Sequence, residues 1–188
     1  MGRFFCISAL ACAAIACGNS AAGGGSAGAS VSGTIANQSF AAADTVGLVG
    51  TLTNDAGVTG HEVDVVMTTW TGACSSFMRN ASPPNSAVLE IAVASATPVV
   101  AGTYAIATNG PVQVGYGAQG ANCIGTASAK AQSGTVTYET VDPASVEGSV
   151  DAVFPGGGRV SGHFVAPVCG VSLMTNAAEG GGLMGCGG

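Results

Sequence analysis

Between residues 31 and 169 apolar and polar side chains alternate repeatedly with a period of two. Val146, Val150, Ala152 and Phe154 interleave with Glu147, Ser149 and Asp151. Val160, Phe164 and Ala166 interleave with Arg159, Ser161 and His163, and Val136 and Tyr138 with Thr135, Thr137 and Glu139. Successive side chains of a strand leave opposite faces, so the pattern describes strands with one buried and one wet face. Turn-forming clusters punctuate it: Asn54-Asp55-Ala56-Gly57, Ser82-Pro83-Pro84-Asn85, Thr108-Asn109-Gly110-Pro111, Asp142-Pro143 and Pro155-Gly156-Gly157-Gly158. The spacing predicts strands near 31–35, 44–53, 61–70, 87–95, 102–108, 112–118, 121–130, 133–141, 145–154 and 159–168. About ten short strands imply an all-β domain: an antiparallel β-sandwich or jelly roll, or a small barrel. One or two helical turns are expected around Cys74 to Arg79.

Composition excludes several other classes. Four Lys plus Arg stand against ten Asp plus Glu, a net charge of −6, which leaves no basic footprint for nucleic acid. With 47% hydrophobic and 7% charged residues the chain is the reverse of a solvated disordered one. Glu, Lys, Leu and Arg are too scarce for a coiled coil.

The N-terminus carries an address. Arg3 precedes an apolar run from Phe4 to Ala14, followed by small residues and Cys17. This is the layout of an export signal, and the run is too short for a lasting bilayer span of roughly 20 residues. Ala14-Ile15-Ala16-Cys17 resembles a bacterial lipobox, with Ala14 where Leu is usual. Cys12 is a weaker candidate because it leaves a very short apolar run. The resemblance implies cleavage after residue 16, a thioether lipid on Cys17 and acylation of its new amine. Gly18, rather than Asp, after the lipidated cysteine resembles the pattern that sorts lipoproteins to the outer membrane of two-membrane bacteria. Several acyl chains would hold a soluble domain at the membrane, where one chain would be marginal.

Four segments follow: a signal peptide at 1–16, a lipidated Gly/Ala/Ser tether at 17–30, a β domain at 31–169 and a Gly-rich tail at 170–188. The tether has no apolar content to build a core and reads as a flexible spacer of about 20 Å. The tail carries Leu173, Met174, Leu183, Met184 and Cys186 and is expected to be stapled down at one point. After cleavage four cysteines remain besides Cys17, namely Cys74, Cys123, Cys169 and Cys186. An even number in an exported chain implies two disulfides, and four cysteines allow three pairings. The pairing expected is Cys74–Cys123, with Cys169–Cys186 closing the tail. Wide gaps, the lack of Cys-x-x-Cys and only two histidines argue against zinc, and no cofactor is expected.

Catalytic constellations are sparse. His61 stands beside Glu62 and Asp64, the pattern of a general base or metal ligand, but a solvated strand end is the favoured account. There is no Gly-x-Ser-x-Gly elbow, and neither glycine triplet continues as a phosphate loop. A glycosidase would need two carboxylates facing across a cleft, which ten acidic residues permit by chance. Trp70 and Phe77 flank the Cys74 loop and are the best aromatic candidates for a glycan surface; packing of that loop onto the sandwich is the competing account. The sequons at Asn37 and Asn80 need a eukaryotic export route and are read as coincidental.

The chain resembles uncharacterised bacterial lipoproteins with a small β domain. The likeness rests on Val31-Ser32-Gly33-Thr34-Ile35 with Phe40, Val88-Leu89-Glu90-Ile91-Ala92, Gly102-Thr103-Tyr104, Ser133-Gly134-Thr135-Val136-Thr137, and Ser161-Gly162 through Ala166-Pro167-Val168-Cys169. It implies a cell-envelope domain and transfers no catalytic residue. The expected function is a lipid-anchored structural or binding module, not an enzyme, whose one expected partner is the membrane through Cys17. A ligand-binding barrel with a cavity near Val63, Val65, Ile91 and Tyr104 is the alternative, and an envelope hydrolase the third reading. In the last hairpin even residues must pair with even, because both apolar sets face one core. A loop at Gly156-Gly157-Gly158 then places Asp151 opposite His163, Ser149 opposite Val165 and Phe154 opposite Val160. An exposed pair of that kind sets register and contributes only about 0.2–1 kcal/mol.

Overall fold

The alternating segments fold as strands of two antiparallel sheets. The computed structural model describes residues 28–53 and 59–170. In chain order the strands are β1 (Gly28–Ala29), β2 (Ser32–Ile35), β3 (Gln38–Ala41), β4 (Asp44–Thr53), β5 (Thr59–Thr68), β6 (Ala87–Ser95), β7 (Gly102–Ala107), β8 (Val112–Gln119), β9 (Gly125–Lys130), β10 (Ser133–Val141), β11 (Ser145–Val153) and β12 (Arg159–Pro167). A short helix, α1 (Ala73–Met78), follows β5. Sheet A runs β3-β2-β12-β11-β10-β7, with β1 also paired to β12; sheet B runs β4-β5-β6-β8-β9. The architecture is therefore a β-sandwich.

The inward faces fill one core. Val63, Val65, Met67, Leu89, Ile91, Val114 and Tyr116 from sheet B meet Val136, Tyr138, Val150, Ala152, Phe154, Val160 and Phe164 from sheet A. Tyr138 packs edge-on against Tyr104 and Phe164, with ring centroids 5.7 and 6.2 Å away. A parallel bridge between Gly47 and Val168 brings the end of sheet A alongside β4. Thr45 Oγ1 donates to the Val165 carbonyl at 2.7 Å in the same seam.

Three local features depart from the expectations. Gly28–Ala29, assigned above to the tether, pairs with Val165 and Phe164 of β12, so the ordered domain begins before residue 31. The β2–β3 hairpin was not anticipated. Its two-residue turn uses Ala36 and Asn37 at φ 49° and 62°, the doubly positive geometry of a tight hairpin. Asn tolerates that conformation better than most residues, which gives Asn37 a structural role in the turn. Finally, the β11–β12 hairpin keeps the expected parity but not the expected register.

In that hairpin Asp151 pairs with Ser161, Ser149 with His163 and Ala152 with Val160. The loop is Pro155-Gly156-Gly157, and the Phe154 N–H donates to the Gly158 carbonyl at 2.7 Å. The expected register would have placed Pro155 opposite Arg159, inside a ladder to which proline cannot donate. Moving the proline into the turn shifts every pair by two residues and preserves the buried face. Gly156 and Gly157 adopt φ 75° and 82°, which is why glycines occupy the tip. Asp151 therefore binds the Arg159 guanidinium through both carboxylate oxygens. His163 instead lies 3.6 Å from Glu139.

Candidate functional site

Residues of β5 with even numbers leave the outer face of sheet B, away from the main core. There Val66 packs with Val46, Ala73 and Cys169, and Leu48, Cys74, Phe77 and Val88 border them. This second small core is where α1 docks. The Ala73 N–H at the start of α1 donates to Asp44 Oδ2 at 2.9 Å, while Asp44 Oδ1 accepts from the Thr45 N–H at 2.8 Å. The Trp70 indole N–H donates to Ser76 Oγ at 3.2 Å. Trp70 and Phe77 are thus half-buried parts of the packed loop, and an open aromatic platform is not formed.

A disulfide joins Cys74 in α1 to Cys169 just beyond β12, with Cα atoms 5.8 Å apart. It corrects both expected pairings, since Cys74 cannot then bond Cys123 nor Cys169 bond Cys186. The physical reason is the crossover at Gly47. The Cys169 N–H donates to the Gly47 carbonyl at 2.9 Å, which delivers Cys169 to the outer face beneath α1. Cys123, in the β8–β9 turn, is also disulfide-bonded. Cys17 and Cys186 lie outside the described residues, as do the expected signal peptide, most of the expected tether, the expected turn at 54–57 and the tail beyond Gly170.

Further along the same face, Glu62, Asp64 and Glu90 form the one concentration of shifted carboxyls among the described residues. Asp64 faces Leu48 on β4 and Ala92 on β6, Glu62 faces Gly50 and Ala94, and Glu90 faces Val66. Asp64 is 1% exposed and Glu62 9%. Burial is the main cause that pushes Asp64 up to about 8, with the charges of Glu62 and Glu90 adding to it. Burial, then the charge of Glu62, pushes Glu90 up to about 7. Glu62 is raised chiefly by burial, and a hydrogen bond with Asp64 partly offsets this. Asp64 Oδ1 has no hydrogen-bond partner. These shifts follow from placing like charges together away from water, which favours the neutral acid.

The arrangement retains protons near neutral pH, but it does not make a hydrolytic pair. Asp64 offers almost no surface to a substrate. His61 pairs with Thr51 and Ser95 and leaves the face opposite Glu62 and Asp64, so the three do not converge. Among the described residues no group of three or more His, Cys, Asp or Glu side chains is placed to hold a metal ion. Val63, Val65 and Ile91 are packed into the core, at 2%, 0% and 0% exposure. Tyr104 hydrogen-bonds the Val100 carbonyl at 2.7 Å. These four residues therefore contribute packing and a strand-end clasp, where the barrel reading wanted the mouth of a cavity.

Sequence reasoning noticed Glu62 and Asp64 only as neighbours of His61 and missed the cluster with Glu90. The available signal was the run Val65-Val66-Met67, which interrupts the alternation and marks β5 as buried on both faces. No family model, no curated protein and no solved structure matches this chain.

Proposed function

We propose that the chain is a lipid-anchored β-sandwich of the bacterial cell envelope, a structural or binding module without catalytic activity. The observation that carries this reading is the disulfide between Cys74 and Cys169. Disulfides persist in oxidising compartments outside the cytoplasm. This one joins a surface helix to the end of the domain, where it holds the fold closed and performs no chemistry. The N-terminal sequence supplies the matching route, with Arg3, the apolar run and the lipobox-like Ala14-Ile15-Ala16-Cys17. Acyl chains on Cys17 would place the sandwich at a membrane surface, with Gly18 directing it to the outer membrane. The acidic balance of the chain argues against a nucleic-acid partner.

The test is a Cys17→Ser substitution followed by fractionation and intact-mass measurement. The wild type is expected in the membrane fraction, cleaved before Cys17 and heavier by its acyl groups. The variant is expected in the soluble fraction. A wild-type mass with an unmodified Cys17 would overturn the anchor.

A further inference from the structure

We propose that the α1 end of sheet B is a membrane-contact face, which seats Met78 and Ile124 among the headgroups of an anionic phospholipid surface and sets Arg79 against their phosphates. This orientation rests on the envelope reading, in which Cys17 carries the lipid. Three observations point to it.

The first is an apolar tip held on pinned loops. Met78 ends α1 and Ile124 lies in the β8–β9 turn. They are 64% and 63% exposed, the highest values among the large apolar side chains described. Both stand at one end of the sheet, where β5 and β8 finish and β6 begins: Thr68 faces Val88, and Ala87 faces Ala118. The loop after α1 is bound to the turn that carries Ile124. The Gln119 amide donates to Ser82 Oγ at 2.9 Å and to the Pro83 carbonyl at 2.7 Å. The Asn85 N–H donates to the Gly120 carbonyl at 3.1 Å, and the Gly120 N–H to the Ile124 carbonyl at 3.0 Å. Pro84 is exposed beside them, and Trp70 and Phe77 are half-buried. Apolar groups gathered at one end mark an interaction surface, where scattered ones would need no explanation.

The second is charge. The chain is acidic, yet residues 65–89 hold one charged side chain, Arg79, and residues 91–129 hold none. Asp44, which reaches this end from β4, is taken up by the Ala73 and Thr45 N–H groups. Arg79 is exposed and directly follows Met78. An apolar tip with a lone cation suits a surface of anionic headgroups, which would repel the carboxylates carried elsewhere. Tryptophan beside such a tip suits the same boundary, since its ring is apolar and its N–H polar.

The third is where the lead from the anchor meets the domain. Gly28 pairs with Val165, and the Val165 carbonyl accepts from Thr45 Oγ1. Asp44, the neighbour of Thr45, holds the first N–H of α1. The chain from Cys17 therefore joins the sandwich beside α1. It spans no more than about 40 Å from Cys17 to Gly28 even when extended. Thr59, at the other end of β5, stands about 30 Å further from the α1 end. So short a lead keeps the α1 end nearest the lipid. A few apolar side chains do not hold a domain on a bilayer by themselves; with acyl chains supplying the attachment, they fix which end faces it.

Trp70 is the single tryptophan of the chain, and its indole N–H is bonded to Ser76, two residues before Met78. Its fluorescence therefore reports on this face. The full chain, isolated from the envelope, is reconstituted into vesicles of phosphatidylethanolamine and phosphatidylglycerol whose acyl chains carry bromine close to the headgroups. Trp70 should be quenched several-fold more in the wild type than in Met78→Ser, Ile124→Ser, while both proteins float with the vesicles. Equal midpoints in urea unfolding check that the double variant keeps the fold. Replacing phosphatidylglycerol with phosphatidylcholine should weaken the quenching, and Arg79→Gln should abolish that difference; a wild type indifferent to the exchange overturns the role of Arg79. A wild type that floats with the vesicles but is quenched no more than the double variant overturns the contact and leaves the anchor standing. A wild type that stays out of the vesicle fraction overturns both. A Cys17→Ser chain that sediments as a dimer, and as a monomer once Met78→Ser is added, gives the face to a second copy and overturns the lipid assignment.

Discussion

Glu62 and Asp64, two residues apart on β5, leave the same face of sheet B and share a hydrogen bond. Neither can lose its proton without placing charge beside the other and beside Glu90. The pair makes stability depend on pH in the sense opposite to that of an ordinary salt-bridged carboxylate.

In the folded chain Asp64 titrates at about 8 and Glu90 at about 7, whereas the unfolded chain releases both protons near 4. Between these limits the native state binds more protons, so stability is full below about pH 4 and falls as pH rises through 7 to 8. Each retained proton contributes a slope of about 1.4 kcal/mol per pH unit. Asp151, held low first by its hydrogen bond to Arg159, acts in the opposite sense below about pH 4, but it is exposed and screened. Thermal unfolding followed from pH 5 to pH 8 should show Tm falling. Asp64→Asn should flatten that slope and be the more stable protein at pH 8. A wild-type Tm that climbs over this range would contradict the assignment.

Breaking the Cys74–Cys169 bond frees a loop spanned by a sequence separation of 95. On the chain-entropy model a closure of this length stabilises by about 4–5 kcal/mol. The double variant Cys74→Ser, Cys169→Ser should lose about that much in urea unfolding. Reductant should take the wild type at least as far as the variant, and should shift the variant only by what the separate disulfide at Cys123 contributes.

Gly162 tests the close seam between β12 and the N-terminal segment. It adopts φ 149°, and a Cβ there would strike the Ser30 carbonyl and the Val31 Cα. Gly162→Ala should cost about 1–3 kcal/mol, as strained backbone does. Gly60→Ala serves as the control, since its Cβ would meet only the Ser95 carbonyl at 3.4 Å. Its stability should lie within about 0.5 kcal/mol of wild type. Equal losses at both sites would show that the seam does not require glycine.

Tyr138 is 1% exposed and its hydroxyl has no hydrogen-bond partner. A buried, unpaired hydroxyl carries its desolvation cost with nothing to offset it. Tyr138→Phe keeps the ring contacts with Tyr104 and Phe164 and removes the burden. The variant should gain about 1 kcal/mol in urea unfolding; a loss of that size would mean that the hydroxyl is bonded in solution.

The alternation located the strands from β4 to β12 because each buries one face against the same core. It failed where structure depends on a single turn or on a remote segment. β3 is only Gln38–Ala41, and its hairpin hangs on Ala36 and Asn37, which lack the usual Asn-Gly signature. The last hairpin was displaced by two because one missing N–H, that of Pro155, outweighs the appeal of three consecutive glycines. Glu62 and Asp64 alternate with Val63 and Val65 and so read as wet. Their burial belongs to the second buried face of β5, which the run Val65-Val66-Met67 marks only three residues further on. The cysteine pairing likewise followed from the crossover at Gly47, a contact between distant parts of the chain.

The place of β12 within sheet A has a consequence for the order of events. β2 has β3 on one side and β12 on the other, so Thr34 must wait for Arg159 before its second ladder exists. Among the described residues β1 pairs with β12 alone. The first hairpin to emerge therefore stays unsupported until nearly the whole domain has been delivered. Pairings this remote close slowly, since the loop entropy must be met before any contact rewards it. A chain with this topology remains threadable from its first strand almost to its last, then locks when a single central strand arrives.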